Sequence, residues 1–167
     1  MKFSAFTTAM AIFAAAPSAA QTAYNPTALI GDFTEAAIAP VLAERKISVL
    51  GRYSGQDISY LDIKFADGTL GVANLTAKQP NSERRIGLAI LIVITPRPDW
   101  TLQRKAELVI NFNRQNLLTQ VGLYDNGQLY IQRYSICDFG LPQGNLAAEL
   151  QILELAAKKL KDELAKP

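Results

Sequence analysis

Leu146, Leu150, Leu153, Ala157, Leu160 and Leu164 recur at alternating steps of four and three residues near the end of the chain, with Glu and Lys on either side. That spacing puts all six on one line of a helix, and such a line is stable only against a second apolar layer. The rest of the chain must therefore supply a surface long enough to cover it. Asn145 is the residue expected to cap this helix.

The covering layer is legible upstream. Leu61, Ile63 and Phe65 alternate with Tyr60, Asp62 and Lys64, the period of a strand with one face toward a core and one toward water. Asp67-Gly68 reads as a hairpin turn into a second strand over residues 69–76, and residues 77–85 read as a surface loop. Residues 88–94 are apolar throughout and β-branched, which predicts the most buried strand of the sheet. A second hairpin is expected from residues 121–124 through Asp125-Asn126-Gly127 to residues 129–137.

Two more helices frame these strands. Asn25 and Pro26 suggest a cap and first turn, with Ile30, Phe33, Ala37 and Val41 on one face, a run to about Arg45 and a kink or restart at Pro40. Pro96 and Pro98 end the apolar strand, after which Asp99 or Thr101 can cap a helix whose Leu102, Ala106, Val109 and Ile110 make an apolar stripe. The expected fold is α+β, one antiparallel sheet packed by helices in the order α-β-β-β-β-α-β-β-α.

The first twenty residues carry a different message. Lys2 precedes an uncharged stretch over residues 3–16, Pro17 breaks it, and Ser18-Ala19-Ala20 offers the small residues of a cleavage site. We expect residues 1–20 to be a signal peptide cut after Ala20, leaving residues 21–167 as one domain, periplasmic or secreted. The alternative is a core helix or an anchor, but the run falls short of the ~20 residues that span a bilayer. No stable membrane anchor is expected.

Composition removes several chemistries. The 167 residues include no His, which takes away the usual base of Ser and Cys hydrolases and the commonest transition-metal ligand. Seventeen basic and fifteen acidic side chains nearly cancel, and no basic block resembles a nucleic-acid footprint. The single Cys137 can form neither an intramolecular disulfide nor a Cys-based zinc site. It is expected to be buried, the alternative being an intermolecular disulfide. No phosphate loop, calcium loop or nucleophile elbow is present, so we expect no metal, no cofactor and no catalytic residues.

The candidate binding residues are Trp100, Asn111, Asn113, Arg114, Ile152 and Leu155. Ile152 and Leu155 lie off the leucine line, either as scattered surface residues or as a partner or dimer contact. Asn113 falls within the apolar stripe of its helix, so its amide must find partners, expected to be backbone groups where the helix ends. Asn111 and Arg114 complete a polar cluster that is either a helix terminus or a site. Trp100 is either an exposed anchor or a staple at the helix start.

The stretch Asn111-Phe112-Asn113-Arg114, a hairpin through Tyr124-Asp125-Asn126-Gly127 and the long last helix together resemble the YbjN family of bacterial proteins. Its members read Asn-x-x-Asn-Arg or Asn-x-Trp-Asn-Arg at the end of the middle helix, then an aromatic and an Asp-x-x-Gly or Asp-x-Gly turn. The likeness is best from about Ile86 to Leu164. It implies a type III secretion chaperone-like fold and a sensory-transduction regulator label, and it brings no catalytic residues. This chain departs from many relatives in lacking a Cys pair around residues 75–85 and in carrying an export signal. The expected function is a periplasmic module that binds a protein or peptide. The alternatives are a carboxylate-dependent hydrolase and a homodimerisation protein acting through the last helix.

Overall fold

The computed structural model describes residues 23–55 and 59–166, so the expected signal peptide lies outside the described residues. In chain order the elements are β1 Leu29–Ile30, α1 Glu35–Glu44, β2 Ser48–Ser54, β3 Ser59–Lys64, β4 Leu70–Lys78, β5 Arg85–Ile94, α2 Leu102–Gln115, β6 Gln120–Leu123, β7 Leu129–Ile136, β8 Leu141–Pro142 and α3 Gln143–Ala165. Strands β2 to β7 form a six-stranded antiparallel sheet in the order β2-β3-β4-β5-β7-β6. The expected α+β order is present. The expectation of one sheet needs an addition, because β1 and β8 pair as a separate two-stranded ribbon.

Period-two alternation decides which face is buried. Leu61, Ile63, Ala73, Leu75, Leu88, Ile90, Ile92, Leu129 and Ile131 all point to the side covered by α1 and α3. Each large aliphatic side chain withdrawn from water there contributes about 1.5–3 kcal/mol. The six residues of the predicted leucine line are buried on α3, together with Ala147 and Ala156. The sheet thus provides the layer that the line requires.

Local turn chemistry sets the register. Gly68 and Gly127 have φ of 86° and 81°, the left-handed region that Gly enters without a Cβ clash. At the first turn the Asp67 carboxylate accepts the Thr69 N–H at 2.9 Å, and the Phe65 N–H donates to Thr69 O at 2.8 Å.

The first helix is shorter than expected. It starts after Thr34, whose hydroxyl accepts the Ala37 N–H at 3.1 Å, and residues 25–34 are not helical. Asn25 instead accepts the Thr27 N–H in a local turn at 3.1 Å. The backbone that follows serves α3: Gln143 and Gly144 donate their N–H groups to Ala28 O and Pro26 O, both at 2.9 Å. Those bonds replace the expected Asn145 cap, since two orphan donors of the first turn are already satisfied. Helix α1 runs through Pro40 without a restart. The bond lost there would go to the carbonyl of Ala36, an exposed residue that water can reach.

Helix α2 keeps only part of the predicted stripe, Val109 facing the core and both Leu102 and Ile110 turned to water. Leu102 and Ile110 are 67% and 51% exposed, while Phe112 is buried and Leu108 and Val109 pack beside it. The helix rests on β6 at the rim of the sheet, and so narrow a support buries only a narrow stripe. Thr101 is its cap, accepting the Arg104 N–H at 3.2 Å; Asp99 pairs with Arg97 at 2.7 Å instead.

Cys137 is fully buried, its N–H donating to Ile86 O at 3.0 Å. Burial pushes its thiol pKa up, so the reactive thiolate is scarce at neutral pH. A thiol-specific reagent is therefore expected to leave the native protein unlabelled and to modify it once per chain in denaturant. Rapid native labelling, or a dimer band on non-reducing electrophoresis, would contradict this burial.

Candidate functional site

Between α3 and the segment joining α2 to β6 lies an open groove of about 430 Å3. One wall is Ile152, Leu155, Ala156 and Lys159 of α3; the other is residues 115–119, which include Leu117 and Leu118. Leu117, Leu155 and Leu118 are 89%, 60% and 56% exposed. Three leucines standing in water around one concavity form a contiguous apolar patch, which differs in kind from isolated surface leucines.

The far wall is held by polar contacts. Asn113 Nδ2 donates to Val121 O at 2.8 Å, and its Oδ1 accepts the Val121 N–H at 2.8 Å. Strand β6 is an edge of the sheet, so this amide supplies the two bonds a further strand would have made. Asn116 Nδ2 donates to Phe112 O at 2.7 Å, closing the end of α2. Arg133 on β7 donates to Leu118 O and lies 3.5 Å from Glu149 of α3, which in turn accepts from the Ser135 hydroxyl. Leu117 and Leu118 are thus presented by a braced segment.

The rim is polar and carries positive charge. Lys159 Nζ donates to Asn116 Oδ1 at 3.3 Å and sits 5.7 Å from the Phe112 ring centroid. The groove lining includes no carboxylate, and among the described residues no salt bridge involves Lys159. Among those residues, too, no group of three or more His, Cys, Asp or Glu is placed to hold a metal ion.

The six residues singled out in the sequence do not form one cluster. Ile152 and Leu155 meet in the groove. Asn113 lies behind its wall and bonds the backbone of β6, where the helix end was expected to be its partner. Asn111 borders a smaller depression with Gln115, Lys159 and Glu163, and Arg114 is exposed on α2. Trp100 is only 7% exposed, with the Arg104 guanidinium 3.9 Å from its ring centroid. It lies in the core beside the first turn of α2 and is not an exposed anchor. Residue-by-residue reading missed Leu117, Leu118 and Lys159. The available signal was a Leu-Leu pair inside the otherwise polar run Gln115-Asn116-Leu117-Leu118-Thr119-Gln120.

By architecture the chain is an α+β protein, with helices on one face of an antiparallel sheet and, among the described residues, no element on the other. No protein-family model and no curated protein sequence matches it. Solved structures do. YbjN from E. coli superimposes with a TM-score of 0.52 over 80% of this chain and 91% of its own, at 12% identity. An uncharacterized protein from Methanothermobacter thermautotrophicus gives 0.59 over 78% and 95%, at 8% identity. The HopA1-SchA chaperone-effector complex contains a looser match, 0.44 over 59% and 73%, at 15% identity. The chain therefore has a YbjN-like fold, as the Asn-Arg and Asp-Gly motifs led us to expect.

Proposed function

We infer that this chain is an exported, non-catalytic binding module that holds a short apolar segment of a protein partner in the groove between α3 and the α2–β6 connection. The observation that carries the reading is the convergence of Leu117, Leu118 and Leu155, all exposed, on one braced concavity. Apolar anchors of an amphipathic peptide fit such a groove, and Lys159 at its rim favours a carboxylate on the peptide beside those anchors. Export rests on residues 1–20 and their cleavage pattern.

The carboxyl shifts among the described residues give the carboxylate-hydrolase alternative no support. Its general acid needs a pKa raised toward neutrality. The displaced carboxyl groups all move the other way: Asp67 through its bonds to Thr69, Glu83 through Lys78 and Asp99 through Arg97. Each of those bonds favours the ionised form.

Leu155→Asp places a charge in the groove without touching the core, so its thermal midpoint should match wild type. Photo-crosslinking in cells should capture a partner with wild type at least about tenfold more strongly than with the variant, in keeping with loss of an apolar anchor. Equal capture by the two would remove the groove from the function. Cell fractionation with N-terminal analysis tests export, the expected first residue being Gln21.

A further inference from the structure

The sheet face turned away from α1 and α3 has no cover among the described elements. By strand register, Val72, Ala89, Leu91 and Val93 form its aliphatic centre, and Tyr53, Tyr60, Tyr130 and Tyr134 stand around it. Val93, Tyr134 and Tyr53 are 45%, 49% and 52% exposed, and Ile136 extends the patch at 59%. The charged side chains on this face, Asp62, Lys64, Lys78 and Arg85, lie on β3 or at strand ends. Its centre across β4, β5, β7 and β6 carries no charge. An aromatic-rich, charge-depleted patch has the composition of an interface core.

The relief of this face is low for a specific reason. Gly87 and Gly122 lie beneath tyrosine rings: a Cβ at Gly87 would stand 2.1 Å from Tyr134 Oη, and one at Gly122 would stand 2.2 Å from the Tyr130 ring. The rings fold down over these glycines and leave a flat surface.

We propose that the occupant of this face is a second copy of the chain, packed sheet to sheet about a two-fold axis. An isologous contact brings a surface against itself, which is unfavourable for a charged patch and carries no such penalty for this neutral one. Two flat sheets can approach to the ~10 Å of a sandwich. The area suffices when the charged rim is counted with the neutral centre: six strands span five gaps of ~4.8 Å, and about seven residues at ~3.3 Å then give roughly 550 Å2 per copy. The two copies together bury about 1,100 Å2, above the ~1,000 Å2 expected of a specific interface. The contact lies on the side of the sheet opposite α3, and at the β6–β7 edge Gln120, Gln132 and Tyr134 of this face border the segment that carries Leu117 and Leu118.

Sedimentation equilibrium of the protein expressed from its full sequence tests the proposal. Wild type should show twice the chain mass. Leu91→Asp and Ile136→Lys should each weaken the dimer by at least about 100-fold, as loss of an interface anchor does. Ile136 is exposed, so Ile136→Lys keeps the fold, verified by an unchanged far-ultraviolet circular dichroism spectrum. Leu155→Asp should leave the mass unchanged. A wild-type monomer at every concentration, or a dimer that survives both sheet variants, would overturn the proposal. Dissociation by Leu155→Asp alone would overturn it equally and move the interface to α3.

Discussion

Leu153→Ala is expected to lower the unfolding free energy by about 2–5 kcal/mol, the range for truncating a fully buried leucine in a packed core. Leu153 is completely inaccessible, in the middle of the line that α3 presses onto the sheet. The loss combines the transfer free energy of the removed carbons with the cavity left between a 23-residue helix and the strands beneath it. Urea unfolding followed by circular dichroism measures it. Two turns of sequence logic are tested at once, because Leu155, two residues along the same helix, is 60% exposed and its replacement by Asp should change stability little. A small loss for Leu153→Ala, or a large one for Leu155→Asp, would mean that α3 presents a different face to the core.

Asn113→Ala should cost about 2–6 kcal/mol, from two backbone groups of Val121 that each lose their partner at about 1–3 kcal/mol. It should also weaken capture at the groove, since β6 leads directly from the segment that carries Leu117 and Leu118. Asn113→Asp separates the two roles. The carboxylate still accepts the Val121 N–H but places negative charge against Val121 O, so it should retain part of the stability and still loosen the wall. Stability and capture measured on the same variants decide the matter; unaltered capture by an Asn113→Ala protein that remains folded would show that the wall is held by Arg133 and Asn116 alone.

The periodic elements were readable because their signals are local. The leucine line of α3, the alternation at residues 60–65, the apolar run of β5 and both Gly turns appear in the structure where the sequence placed them. The errors have a common cause. Asn25, Pro26, Ile30 and Phe33 satisfy helical spacing, but their segment bonds to α3 and forms a ribbon with β8 instead. Asn145 looks like a cap, but α3 begins two residues earlier, at Gln143, where the N–H groups of Gln143 and Gly144 are taken by Ala28 O and Pro26 O. In each case a distant partner outcompeted a local preference.

The groove shows the same division more sharply. That Ile152 and Leu155 fall off the buried line follows from the 100° step of a helix and is determined by the sequence alone. That Leu117 and Leu118 stand opposite them depends on the packing of α2 against β6, fixed by the Asn113 amide, and on Arg133 reaching the Leu118 carbonyl. Periodicity reports which side of its own element a residue occupies, because neighbours on a helix or strand are set by backbone geometry. Which elements face each other depends on bonds between residues far apart in the chain, and only the tertiary structure decides those.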